Sequence, residues 1–147
     1  HGNGTEEIFY EDGSVFFASL HESPLFPYKG KSSDQGSGDG TGATLNIPLL
    51  AGSGREAYLE AWEKVGEAVA AFQPGLILLS AGYDAHRDDP LAHMNLEAVD
   101  YAEMVSSAKT WAQTLCDGKI VAVLEGGYHL ENLAGAVAAT LEVLKAD

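Results

Sequence analysis

At 147 residues, 46% hydrophobic and 20% charged, the chain is long enough for one domain with a real core and ordinary for a soluble globular protein. No apolar run approaches the roughly 18–20 residues that span a bilayer, and no secretory signal is visible, so neither membrane spanning nor secretion is expected. The formal net charge of −14 argues against binding nucleic acid through its phosphates; it suits a solubilising acidic surface or long-range attraction of a cationic substrate.

Residues 1–14 read as polar and glycine-containing, broken by Ile8-Phe9-Tyr10 and closed by an Asp12-Gly13 turn. The opening His1-Gly2-Asn3-Gly4-Thr5 lacks a methionine, which suggests a fragment or a processed form. Val15–Leu20 is expected to be a strand, ending at His21-Glu22-Ser23-Pro24. Pro24 and Pro27 keep the next stretch from becoming a helix. The glycine-rich segment 30–42 contains Gly38-Asp39-Gly40-Thr41-Gly42-Ala43, a loose G-x-G-x-x-G/A match. A dinucleotide loop needs a strand before it and a helix after it. Here prolines and serines precede it and an extended Thr44–Pro48 follows, so that reading is rejected.

Ser53, spaced from Glu56 as in a capping box, is expected to open a helix with Tyr58, Trp62, Val65, Val69 and Phe72 recurring at three- and four-residue intervals. Pro74-Gly75 stops it, and Leu76–Leu79 reads as a buried strand. A second helix is expected from about Leu96 to Cys116, with Asn95 as N-cap and Val99, Ala102, Val105, Ala108, Trp111 and Leu115 as its stripe. Asp117-Gly118 turns into a strand at Lys119–Leu124. A last helix spans roughly Leu130–Lys145, with Leu130, Leu133, Val137, Leu141 and Leu144 on one face. Strand and helix alternate, which predicts an α/β fold with a parallel sheet and right-handed crossovers. Three strands make a small sheet with an exposed edge, which implies part of a larger domain or a chain that pairs with a partner. The single cysteine, Cys116, excludes an internal disulfide, reads as a core or half-buried thiol, and fits a cytoplasmic setting.

The chemistry-bearing residues cluster at strand ends. Leu76–Leu79 runs into Ser80-Ala81-Gly82 and then Asp84, His86, Arg87, Asp88 and Asp89; Lys119–Leu124 runs into Glu125-Gly126-Gly127-Tyr128-His129. Ligands in open parallel sheets bind beyond the carboxyl ends of strands, so these two ends are expected to face one pocket. Asp84 can hold a divalent metal, act as a base, or cap Arg87 and nearby amides. Asp88-Asp89-Pro90 reads as a turn whose carboxylates accept backbone N–H bonds. Gly126 and Gly127 leave the backbone uncovered, so that a substrate or a neighbouring loop can approach. Tyr128 can donate its hydroxyl to a developing oxyanion or pack over the sheet end. Ser19 and Leu20 could offer a hydroxyl and carbonyl oxygens to a cation, although a plain strand end explains them as well.

H-G-N-G-T at 1–5, S-L-H at 19–21, F-P at 26–27, N-I-P-L at 46–49, S-A-G-Y-D-A-H at 80–86, D-P-L-A at 89–92 and L-E-G-G-Y at 124–128 resemble, in order, the second half of the zinc-dependent histone deacetylase superfamily, which includes bacterial acetylpolyamine amidohydrolases and acetoin-utilisation proteins. The L-E-G-G-Y form is more similar to the class II and bacterial branch. The resemblance implies an arginase-like α/β fold, a parallel sheet with flanking helices, of which residues 1–147 are the C-terminal part of one domain with no internal boundary. It implies zinc-dependent hydrolysis of an acetyl amide on lysine or a polyamine. By resemblance, Asp84 is a zinc ligand and Tyr128 stabilises the oxyanion. Ser19 and Leu20 are ligands of a monovalent cation, usually potassium, and Phe9, Asp12 and Val15 of a second. Phe26 and Leu91 line an acyl-lysine tunnel, beside Gly126 and Gly127.

The family's Asp-x-His zinc ligands and tandem catalytic histidines precede H-G-N-G; His1 matches the second, non-ligating histidine of the usual tandem. One aspartate does not make a catalytic zinc site, which takes three protein ligands and a water. The chain alone is therefore predicted to be inactive, and to work with a missing N-terminal portion. The alternative is a non-catalytic α/β fragment that self-associates through its exposed sheet edge as a homo-oligomer.

Overall fold

The computed structural model describes residues 1–146. The chain falls into two compact units, His1–Leu50 and a second beginning at Ala51.

The first unit holds α1 (Asn3–Phe9), β1 (Phe17–Glu22), a 3-10 turn at Gly38–Gly40 and β2 (Thr44–Leu49). The helix was not foreseen from its polar sequence. Its Glu6 is buried and accepts a 2.6 Å hydrogen bond from Asn46 Nδ2 on β2, a contact across 40 residues that local composition cannot show. The first strand lies two residues later than expected. Its limits are set by parallel pairing with β2, from Phe17 opposite Thr44 to Glu22 opposite Leu49, which takes in the buried polar pair His21 and Glu22. The glycine-rich loop leads into a strand, not the helix a dinucleotide site requires.

The second unit alternates α2 (Arg55–Phe72), β3 (Ile77–Ala81), α3 (Ala98–Leu115), β4 (Ile120–Leu124) and α4 (Leu130–Lys145). β3 and β4 pair in parallel, Ile77 opposite Ile120 through Ala81 opposite Leu124. The expected single three-stranded sheet is thus corrected: four strands form two parallel pairs, because Thr44–Leu49 completes a ladder with β1. The strands read as buried runs are also more open than expected. Leu78, Val121, Val123 and Leu124 are all exposed, since a two-stranded sheet has too little around it to cover both faces.

Both expected helix caps move. Gly54, not Ser53, precedes α2, and no side chain caps it. Asn95 does not cap α3. Its amide donates to the Ser53 carbonyl at 2.9 Å and its side chain to the Gly52 carbonyl at 2.9 Å, tying together the segments that lead into the two helices. α3 is capped instead by Glu97 and Asp100, whose side chains accept each other's backbone N–H groups. The buried Asp100 also receives Arg55 Nη1 at 2.7 Å, and Arg55 pairs with Glu103 as well. The two carboxylates, Asp100 first, raise the guanidinium pKa. Asp100→Ala removes a cap and a buried acceptor together. It is expected to destabilise the chain by about 2 kcal/mol, read as a lower urea midpoint at unchanged m.

α3 packs on α4 and on α2. Its buried face is Tyr101, Val105, Ala108 and Ala112, rotated from the expected stripe, so that Val99 is exposed. On α4 the buried residues are Ala136 and Thr140, while Leu130 and Leu141 are exposed. Small residues let two helix backbones approach, and here that contact, not the largest side chains, decides which face is buried. Trp62 and Trp111 bring α2 to α3, with ring centroids 5.1 Å apart and Trp62 Nε1 donating to the Met104 carbonyl at 2.9 Å. Met94 and Leu96, in the segment before α3, are the largest fully buried side chains, and Cys116 is buried and free as expected.

Candidate active site at the ends of β3 and β4

Ala81 and Leu124 close the two strands as register partners. The pairing continues beyond them: Glu125 N donates to the Ala81 carbonyl at 3.0 Å and Tyr83 N to the Gly126 carbonyl at 2.8 Å. The segments carrying Asp84 and Tyr128 therefore leave the sheet side by side. Asp84 is half-buried, and its carboxylate lies over Gly126. A Cβ on Gly126 would stand 2.9 Å from Asp84 Oδ2 and 3.0 Å from Cγ, so any side chain there displaces the carboxylate. Gly127 has φ +132°, and its Cβ would meet Leu133 at 2.9 Å and Tyr83 at 3.1 Å. The glycine pair is thus required by close approach at one position and by backbone conformation and crowding at the next.

Beneath this surface Tyr83 and Tyr101 meet edge to face at 5.1 Å. Tyr83 Oη donates to Thr140 Oγ1 at 3.0 Å, and Tyr101 Oη donates to the Tyr83 carbonyl at 3.1 Å. Burial, reinforced by Tyr58 and by the carboxylates Asp84, Asp89 and Asp100, pushes the Tyr101 pKa far up, so this phenol stays neutral.

The two aspartates differ in their partners. No donor among the described residues hydrogen-bonds the Asp84 carboxylate. Asp89 is buried and fully engaged: Oδ1 accepts from Leu91 N at 2.9 Å and Ala92 N at 3.3 Å, and Oδ2 accepts from Tyr128 N at 2.9 Å. A second bridge joins the same loops. Asn132 Nδ2 on α4 lies 3.1 Å from His86 Nδ1 and 3.1 Å from Asp88 Oδ2, and Asp88 N donates to His86 Nδ1 at 3.2 Å. Arg87 pairs with Glu97 at 2.6 Å and leaves Asp84 alone.

Asp84, Leu91, Gly126, Gly127 and Tyr128 are thus gathered on adjoining loops of one unit. The Leu91 and Tyr128 side chains are exposed. Neither the Asp89–Tyr128 nor the His86–Asn132 link is visible in the sequence. The turn character of Asp89-Pro90 was legible, but a bond spanning 39 residues leaves no local signal. A carboxylate with no hydrogen-bond donor among the described residues fits a zinc ligand. It would be one ligand of several, since no group of three or more His, Cys, Asp or Glu among the described residues could hold a metal.

The remaining candidates lie in the first unit. The Phe9 carbonyl accepts from Asp12 N at 3.0 Å and the Asp12 carbonyl from Val15 N at 3.4 Å, so the three positions follow one another on consecutive turns, with a carbonyl lone pair left at each. Ser19 is buried, its Oγ 2.9 Å from His21 Nδ1, while His21 Nε2 is 2.9 Å from the Gly30 carbonyl. A carbonyl only accepts, so the proton sits on Nε2 and Ser19 donates to Nδ1, keeping its oxygen lone pairs. Burial lowers the His21 pKa and favours this neutral form. The His1 ring lies 4.2 Å from that of His21, and Phe26 is exposed.

Residues 1–144 match the histone deacetylase domain model. Over 132 residues the chain is 47% identical to a probable deacetylase of Archaeoglobus fulgidus, covering 89% of this chain and 37% of that protein. It is 44% identical over 145 residues to the chloroplastic histone deacetylase 14 of Arabidopsis thaliana, covering 98% and 34%. The crystal structure of an acetylpolyamine aminohydrolase from Burkholderia pseudomallei superposes with a TM-score of 0.89 at 29% identity, covering 99% of this chain and 42% of that one. The chain therefore spans about a third of the length of these curated relatives. Its parallel strand pairs and flanking helices form part of their arginase-like α/β fold, and the chain belongs to the histone deacetylase domain family.

Proposed function

We propose that this chain supplies one side of the active site of a zinc-dependent amide hydrolase that removes acetyl groups from acetyl-lysine or acetylpolyamines. The observation that carries the reading is the Asp84 carboxylate, without a donor among the described residues, lying over Gly126 two residues from Tyr128 at the carboxyl edge of a parallel strand pair. Asp84 would be one zinc ligand, and the others would come from an N-terminal portion of the same domain. Bound there, zinc would polarise the acetyl carbonyl and activate a water. Tyr128 donates its phenol to the oxyanion as it forms. Leu91 offers apolar surface to the alkyl chain of the substrate, and the net charge of −14 favours approach of a cationic one. Ser19 and Leu20 hold a monovalent cation, potassium by type, and Phe9, Asp12 and Val15 hold a second.

The test is acetate release from an acetyl-lysine peptide and an acetylpolyamine by the full-length protein, before and after zinc is stripped with a chelator. Turnover should disappear on stripping and return with zinc, and the isolated chain should show none. Turnover that survives stripping, or robust turnover by the isolated chain, rejects the reading. A second reading is favoured by the exposed Leu78, Val121, Val123 and Leu124 on β3 and β4: a non-catalytic fragment that self-associates through this pair. It requires a zinc-free oligomer in light scattering.

A further inference from the structure

We propose that Asp89 is the positioning residue for Tyr128: its carboxylate locks the backbone that carries the phenol to the turn that carries Leu91. This deepens, and rests on, the reading of Tyr128 as the oxyanion donor. Asp89 is 8% exposed, and no described cationic side chain pairs with it. Its charge is met by backbone amides alone, those of Leu91 and Ala92 on Oδ1 and that of Tyr128 on Oδ2. A turn needs only the first two. The third reaches across to the other strand end and holds Tyr128, two residues beyond the Gly126 that the Asp84 carboxylate covers. The loop needs such a hold. Gly126 and Gly127 precede Tyr128 and have no side chains to anchor it, and the phenol itself is half exposed.

A carboxylate suits this task because it only accepts, with room for several donors on its two oxygens. An amide of the same shape has one accepting oxygen. Its NH2 would face either the Tyr128 amide or the Leu91 and Ala92 amides, so Asp89→Asn must lose one side of the bridge. The Asn132 contacts to His86 and Asp88 would keep the turn on α4, so the loss is local.

The experiment uses the full-length, zinc-loaded protein and compares Asp89→Asn, Tyr128→Phe and the double variant. Asp89→Asn should lower kcat by about 10–100-fold with KM within about 2-fold, the effect of a reacting group displaced by roughly an ångström. In the Tyr128→Phe background the same change should cost less than about 3-fold, because there is no hydroxyl left to misplace. Asp89→Glu should not rescue, since the longer side chain shifts both oxygens. Amide hydrogen exchange should rise in the peptide containing Tyr128 and stay unchanged in α3. An equal loss in both backgrounds, or a uniform rise in exchange, would overturn the proposal in favour of a general folding role. A Tyr128→Phe variant with full turnover would reject the oxyanion reading alone; the exchange result would still decide whether Asp89 holds this backbone.

Discussion

Tyr128→Phe is expected to reduce kcat of the full-length, zinc-loaded protein by about 10²–10³-fold while leaving KM nearly unchanged. Phenylalanine keeps the ring, so the apolar contacts and the Gly126-Gly127 approach survive. Only the hydroxyl goes. A neutral amide carbonyl gains little from that hydroxyl in the ground state, and an oxyanion gains much, so the loss falls on the transition state and shows in kcat. Stability should not change, because the Tyr128 side chain is about half exposed and the bond that ties this residue down uses its main-chain amide. A rate within about 3-fold of the unsubstituted protein would remove Tyr128 from the chemistry.

The strand ends were the most legible part of the sequence. Leu76–Leu79 and Lys119–Leu124 each ran into glycine and polar residues, and the structure does pair these ends in register. The last helix was legible at both bounds, through the apolar period from Leu130 and its close at Lys145. What failed depended on contacts distant in sequence. α1 looks like coil until Glu6 meets Asn46, and Thr44–Leu49 looks merely extended until β1 pairs with it. Asn95 and Ser53 are both good cap residues by type, but they bond to each other's segments, and Glu97 with Asp100 caps α3 instead. The helix stripes failed for a related reason. Hydrophobicity picks out Val99 and Leu130, whereas the buried contact runs along Ala108, Ala112 and Ala136, whose size matters more than their hydropathy. Of the site, Asp84 and Tyr128 could be singled out from sequence, but the carboxylate joining their loops could be read only as a turn residue.

Asp84→Ala should abolish turnover and strip the metal from the full-length protein, and it should do so without unfolding it. A lost supporting group around a metal typically costs about 10–100-fold in affinity, and losing a ligand should cost more. Zinc content after gel filtration should therefore fall well below one per protein, with turnover falling in parallel. Most substitutions of a half-buried aspartate would also lower stability, because its hydrogen-bond donors are left unpaired. Asp84 has no such donors among the described residues. Removing it in the metal-free protein should leave the melting temperature unchanged. Asp84→Asn separates charge from shape: it keeps the volume over Gly126, loses the anionic ligand, and should match alanine in zinc content. Full zinc occupancy in both variants would mean that this carboxylate is not a ligand. A large drop in the metal-free melting temperature would instead assign Asp84 to holding the strand ends together.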